Sequence, residues 1–261
     1  PHARPSRRRC SGEASGRVPS RSAEEAKNFV DKLIAYHDSA SFGPWRNQLN
    51  FVADDEDLNL HLQDAEVLTT TVAATAPEFN PRKIYLDAYQ QESGSAGGKY
   101  PQVNAAVNSN IYSGSLIWNY SGHGGPQRLA EEVVIDQQIV NSWNNTSRLP
   151  LFITATCDFA PYDHPSINSL GENLLLRPKT GAIALMTTTR VVFAFSNRIL
   201  NNNYLKYALE PLPSGRFRTL GEAMRDGKNH TYQTFGDIIN NRKFTLLGDP
   251  AMTLGFPLNQ V

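Results

Sequence analysis

The 261-residue sequence has only two cysteines, Cys10 and Cys157. Cys10 falls in a basic, irregular opening, "RPSRRRC", so no disulfide framework is expected. No apolar run approaches the ~20 residues that a membrane-spanning helix needs, and no signal peptide is visible. Lys and Arg number 25, as do Asp and Glu, for a formal net charge of zero. Such balance gives no electrostatic case for nucleic acid or for an anionic membrane surface. Several chemical signatures are also missing. Without G-x-S-x-G there is no serine hydrolase elbow. Without a Walker loop or G-x-G-x-x-G there is no nucleotide cradle, and without C-x-x-C or H-E-x-x-H no metal site or cofactor is expected. The acidic stretch "DDEDLNLHLQDAE" places Asp55, Asp57, Asn59 and Glu66 at calcium-loop positions 1, 3, 5 and 12. The glycine required at position 6 is Leu60, so a helix start flanked by acids explains it better than an EF-hand.

What the chain does contain is alternation. At 40% hydrophobic residues it reads as globular. Helical periodicity at 22–38, 60–76, 101–112, 135–143, 169–177, 196–209 and 219–229 is interleaved with apolar strands. The strands are "LNFVA", "KIYLDAY", "SLIWNYS", "LPLFITAT", "GAIALMTTT" and "KFTLLGDP". Strands apolar on both faces and separated by helices predict a three-layer α/β/α architecture with a mainly parallel sheet. Residues 1–20 are expected to be an irregular approach to one domain spanning 21–261. The start at Pro1 suggests a fragment of a longer protein.

In such sheets, ligands gather at the carboxyl ends of the strands. In "SLIWNYSGHGG", a strand ends and His123 stands among Gly122, Gly124 and Gly125. The next strand ends at Cys157, in "ATCDFAPYDHP". If these strands are neighbours, one imidazole and one thiol share an edge. An imidazole activates a thiol and can later protonate a leaving amine. The N–H groups of Gly124 and Cys157 are candidate oxyanion donors. Taken separately, a loop histidine and an inert core cysteine explain each residue better; the two matched strand ends together bring the catalytic pair level with that explanation. Asp87, closing "KIYLD", is the first candidate for an acid that orients His123, with Asp64 and Glu66 next. Ordinary solvated acids are the alternative for all three. "MTTTR" places Thr187, Thr188, Thr189 and Arg190 as candidate substrate contacts. The alternative is that the threonines are strand formers and that Arg190 pairs with Asp163 or Glu172.

The segments "NYSGHGG", "ATCDFAPYDHP", "SLGENLLLRPKTGAIALMTTTRVVF" and "FTLLGDPAMTL", in that order, resemble the gingipain-type cysteine peptidases. "GRVPSRSAEEA", "FVADDED" and "HLQDAE" add to the likeness, which is strongest to the sortase (PorU) branch of the type IX secretion system and covers residues 16–257. The resemblance implies a caspase-like α/β/α fold and a Cys–His pair at Cys157 and His123. It also implies a cell-surface, outer-membrane-associated setting and protein substrates. Sortases of this branch remove a C-terminal signal domain from secreted cargo and can join the new terminus to an anchor. Members of the family are longer, so a cleft segment or a module that docks secretion-system partners is expected outside this chain. A non-catalytic module that binds signal peptides or secretion partners remains the alternative.

Overall fold

A computed structural model describes residues 12–94 and 97–257. Cys10 and the basic opening lie outside the described residues. Six strands form the central sheet: β1 (Gln48–Ala53), β2 (Asn80–Tyr85), β3 (Ile117–Ser121), β4 (Leu151–Ala155), β5 (Ala184–Thr188) and β6 (Phe244–Leu247). Their spatial order is β6-β5-β4-β3-β1-β2. All neighbouring pairs are parallel except β5–β6, so the antiparallel strand is at one edge.

Side chains alternate across this sheet because strand periodicity is two. Phe51, Ala53, Ile117, Ile153 and Met186 face one core. Helices α2 (Leu60–Thr75), α6 (Ala194–Leu209) and α7 (Leu220–Phe235) cover it with Leu68, Val72, Leu200, Tyr204 and Met224. Val52, Trp118, Tyr120, Phe152 and Leu185 face the other. There α1 (Ala23–His37), α3 (Pro101–Ser113), α4 (Gln137–Ser142) and α5 (Leu170–Leu176) supply Phe29, Val103, Val107, Val140 and Leu174. Three layers therefore follow from two apolar faces that each need cover. A short helix, α8 (Ile239–Lys243), leads into β6.

The helix starts are written locally. The Ser22 hydroxyl accepts the Glu25 N–H at the head of α1. Ser169–Glu172 and Thr219–Glu222 each form a reciprocal capping box, on α5 and α7. Three boundaries differ from the sequence expectation. Strand β2 starts at Asn80 and gives way to a 3-10 turn at Leu86–Ala88, so Asp87 is not a strand residue. Ile135–Asp136 is a short strand, and the Asp136 carboxylate then caps α4. Helix α7 runs past 229 to Phe235 and stops at left-handed Gly236, because nothing before that glycine breaks it.

One buried lysine fastens α1 to the C-terminal end of α5. The Lys32 amino group donates to the carbonyls of Leu174, Leu175 and Thr180 at 3.2, 2.8 and 2.9 Å, with Lys32 only 1% exposed, and burial lowers its pKa to about 7. Replacing it by Met fills the space but strands those carbonyls. Lys32→Met should lower unfolding free energy by about 2–3 kcal/mol, read from the urea midpoint at unchanged slope.

Candidate active site

The site is assembled where β1, β3 and β4 end. Ala53 of β1 pairs with Ser121 of β3, and Ser121 pairs with Ala155 of β4. His123 and Cys157 each lie two residues beyond this aligned row. The Gly122 N–H reaches across to the Ala155 carbonyl at 3.4 Å. The two loops also touch further out. A Cβ on Gly124 would come within 2.9 Å of Thr156 Oγ1 and 3.0 Å of the Arg128 carbonyl. Histidine and cysteine therefore leave adjacent parallel strands at the same edge.

The glycines before and after His123 serve close approach. A Cβ on Gly122 would stand 2.4 Å from Asp54 Cβ and 2.5 Å from the Tyr120 hydroxyl. Asp54, fully buried just past β1, uses its carboxylate on backbone: Oδ2 accepts the His123 N–H at 2.8 Å, and Oδ1 accepts the Asp55 N–H at 3.1 Å. The Tyr120 hydroxyl donates to the His123 carbonyl at 2.7 Å and lies 3.3 Å from Asp54 Oδ2. Burial raises the Asp54 carboxyl to about 6, opposed by the His123 N–H and assisted by Glu132 and Asp55.

The carboxylate on the imidazole itself is Asp57, whose Oδ2 is 3.0 Å from His123 Nε2. Asp57, Leu58 and Asn59 take φ of 59°, 55° and 64°, three successive left-handed residues. That conformation is costly for residues with a Cβ. It turns the chain between β1 and α2 so that Asp57 reaches back toward β3. With Nε2 engaged, Nδ1 is the ring nitrogen left for the thiol. His61, in the first turn of α2, meets the His123 ring edge to face with centroids 5.2 Å apart. Burial lowers the His61 pKa, with the neighbouring His123 adding to the effect. Cys157 is half-buried, with Sγ 3.8 Å from the Val192 carbonyl. Among the described residues, no acceptor takes the Cys157 N–H.

The other candidates lie elsewhere. Asp87 is exposed on its 3-10 turn, where partial burial and nearby Asp55 raise its pKa. Asp64 faces Arg198 at 3.4 Å, and Glu66 holds Lys83 Nζ at 2.7 and 2.8 Å on the outer face of α2. The imidazole thus finds its acid after β1 rather than after β2 or within α2. The substrate candidates need the same correction. Thr187 and Thr188 are fully buried. Thr187 Oγ1 is 2.6 Å from Thr154 Oγ1, while Thr188 Oγ1 donates to the Thr156 carbonyl at 2.6 Å and accepts the Phe159 N–H. Thr188 thus supports the Cys157 loop, Thr187 ties β5 to β4, and neither hydroxyl has surface to offer a substrate. Thr189 bonds the Lys243 carbonyl through both its N–H and its hydroxyl. Arg190 is a forked partner of Asp163, at 3.0 and 2.5 Å.

Asp57 is the site residue that the sequence reading passed over as a helix-flanking acid. The available signal was its position: "ADDED" follows a strand, so its acids emerge at the same edge as His123 and Cys157. A cavity of about 510 Å³ lies away from this edge, between Glu13 and Ser15 on one side and α7 on the other. Beside the thiol, Val191, Phe193 and Phe195 are all more than half exposed.

This arrangement, a thiol and an imidazole on neighbouring strand ends of a six-stranded α/β/α sheet, defines a caspase-like fold of the cysteine peptidase kind. The model of Peptidase family C25 matches residues 13–255, and the chain belongs to that family. Among solved structures, the Arg-specific cysteine proteinase gingipain R superposes with a TM-score of 0.75 at 18% identity, over 92% of this chain and 55% of that one. The complex of Porphyromonas gingivalis RgpB pro- and mature domains gives 0.73 at 17%, over 92% and 56%. A third structure, described only as a protease, gives 0.70 at 14%, over 90% and 54%. The chain spans about half the length of these structures. No curated protein matches it significantly.

Asp64 provides a pH test that is separate from catalysis. Burial raises its carboxyl to about 6 despite Arg198. A folded-state pKa above the unfolded value means that its contribution is full below about pH 4 and is lost as pH rises through about 6. Asp64→Asn, neutral throughout, should therefore compare more favourably with wild type at pH 7 than at pH 4. Denaturant unfolding of both proteins at the two pH values reads this difference.

Proposed function

We propose that the chain is the catalytic part of a cysteine endopeptidase, with Cys157 as nucleophile, His123 as general base and acid, and Asp57 as the carboxylate that orients the ring. The observation that carries this reading is the placement of His123 and Cys157 two residues past the paired Ser121–Ala155 row, with the far ring nitrogen of His123 already held by Asp57.

Asp57 accepts from Nε2–H, so the neutral ring presents an Nδ1 lone pair to the thiol. His123 takes the Cys157 proton and the thiolate attacks the scissile carbonyl. Charge develops on the carbonyl oxygen, where the N–H groups of Gly124 and Cys157 are the proposed donors. The imidazolium then protonates the departing amine, and a thioester remains on Cys157. Water, or an amine supplied by a second substrate, resolves it. Asp57 favours the imidazolium in both transfers, and Asp54 keeps the His123 backbone fixed while the ring cycles.

The substrate class we infer is an extended polypeptide, to which the exposed Phe193 and Phe195 offer apolar contact. Within that class, the order of sequence motifs favours secreted cargo carrying a C-terminal signal domain, cut or transferred at the cell surface in type IX secretion. No described helix is long and apolar enough to cross a membrane. Substrate recognition beyond the dyad rests with residues other than Thr187 and Thr188.

The test uses the full-length protein with a signal-bearing cargo. Cys157→Ala should remove both cleavage and the thioester, and His123→Ala should slow turnover roughly 10²–10⁴-fold. Cargo processing that survives Cys157→Ala would make the thiol structural. Cleavage of generic peptides with cargo left intact would retain the peptidase and reject the signal-processing role.

A further inference from the structure

The geometry points to a second use of the His123 edge: we propose that Asp57, His61 and His123 form a zinc site that silences the thiol–imidazole pair when it is filled. The inhibitory part rests on the peptidase reading above; the site itself does not.

Ligand atoms from Asp57, His61 and His123 all lie within 4.8 Å of one another. His123 Nε2 and His61 Nε2 are 3.0 and 3.5 Å from the same oxygen, Asp57 Oδ2. In a tetrahedral zinc site with bonds of ~2.0–2.1 Å, neighbouring ligand atoms are about 3.3–3.4 Å apart. The two separations from Asp57 bracket that value, and the third lies within 4.8 Å, so closing the two imidazoles onto one ion is the adjustment the site requires.

His61 supplies the independent observation. It is only 5% exposed, yet its Nε2 has no hydrogen-bond partner among the described residues. A buried imidazole nitrogen left unpaired is expensive. This one lies toward Asp57 and His123: the left-handed turn at 57–59 brings Asp57 Oδ2 to 3.5 Å from it, and the two imidazole rings meet edge to face. Asp57 and His123 are each about half exposed, which gives the ion an entry path and leaves a fourth position for water.

Two imidazoles and one carboxylate suit zinc over calcium or magnesium, which prefer all-oxygen shells. The chemical consequence is direct. A metal on His123 Nε2 leaves the neutral ring with its one proton on Nδ1. That nitrogen then has no lone pair to accept the Cys157 proton, so the thiol loses its base. The ion also takes Asp57 away from the imidazole. No bond to sulfur is needed, which separates this site from direct capture of a Cys–His pair.

The experiment is titration of the chain with Zn²⁺ alone by calorimetry, with Co²⁺ absorption reporting coordination geometry. The proteins are wild type, His61→Phe, His61→Gln and Cys157→Ala, each checked for folding by circular dichroism. His61→Phe keeps a ring against His123, and His61→Gln covers the case in which the larger ring disturbs α2. Wild type and Cys157→Ala should bind one zinc with equal affinity and give a tetrahedral Co²⁺ spectrum. Both His61 variants should bind at least roughly 100-fold more weakly. In the full-length enzyme, zinc should abolish peptide cleavage reversibly by chelation, and the His61 variants should stay active at the same zinc concentration. Absence of one-to-one binding to folded wild type overturns the proposal. So does binding that is lost in Cys157→Ala but kept in the His61 variants, since the metal would then sit on the thiol. An enzyme inactive without zinc, together with an intact Co²⁺ spectrum, would overturn the peptidase reading and its inhibition while leaving the metal site standing.

Discussion

A buried carboxylate with no cation beside it is an expensive thing to build at the end of a strand. Asp54 is tolerated because it spends its oxygens on the backbone: the His123 N–H on one and the Asp55 N–H on the other. This interaction ties the exit of β1 to the exit of β3, and the rest of the site hangs from it. Gly122 must be glycine because Asp54 and Tyr120 occupy the space of a side chain. Tyr120 holds the other side of the same peptide through the His123 carbonyl. The His123 backbone is clamped on both sides.

Three parallel strands then do what the α/β/α architecture favours, delivering different chemistry to one edge. From β1 comes the turn that carries Asp57, from β3 the imidazole, and from β4 the thiol. The fourth strand, β5, contributes support from beneath. Thr188 receives the Phe159 N–H and donates to the Thr156 carbonyl, so it braces the Cys157 loop on both sides of the sulfur. The Ala160 N–H reaches the Thr188 carbonyl and the Asp158 N–H reaches the Arg190 carbonyl, which extends that brace along the loop. The Cys157 loop is thus held on both sides by hydrogen bonds to β5 and the residues that follow it.

How much of this could be read from the chain depended on whether the information was local. Apolar strands and capped helices gave the layers, because burial on two faces leaves its mark on every strand. That His123 and Cys157 share one edge was legible because each follows a strand end and consecutive strands β3 and β4 are neighbours. Asp57 escaped because sheet order is not local. The reading looked for an acid after β2, at Asp87, whereas β1 is the strand that lies against β3. Its left-handed turn is not announced by glycine, since Asp57, Leu58 and Asn59 adopt it themselves. Thr187 and Thr188 were misassigned for a related reason. Whether a strand end faces solvent depends on where the neighbouring loop runs, and residues 158–160 fold back over β5.

The account's central claim is that His123 makes Cys157 reactive toward an extended peptide. The most direct measurement is covalent labelling of the full-length protein by a peptidyl acyloxymethyl ketone, with the modified residue mapped by mass spectrometry. The account predicts one adduct, on Cys157, formed rapidly in wild type and lost or slowed by orders of magnitude in folded His123→Ala. Equal labelling of the two proteins, or a modification confined to another residue, would contradict it.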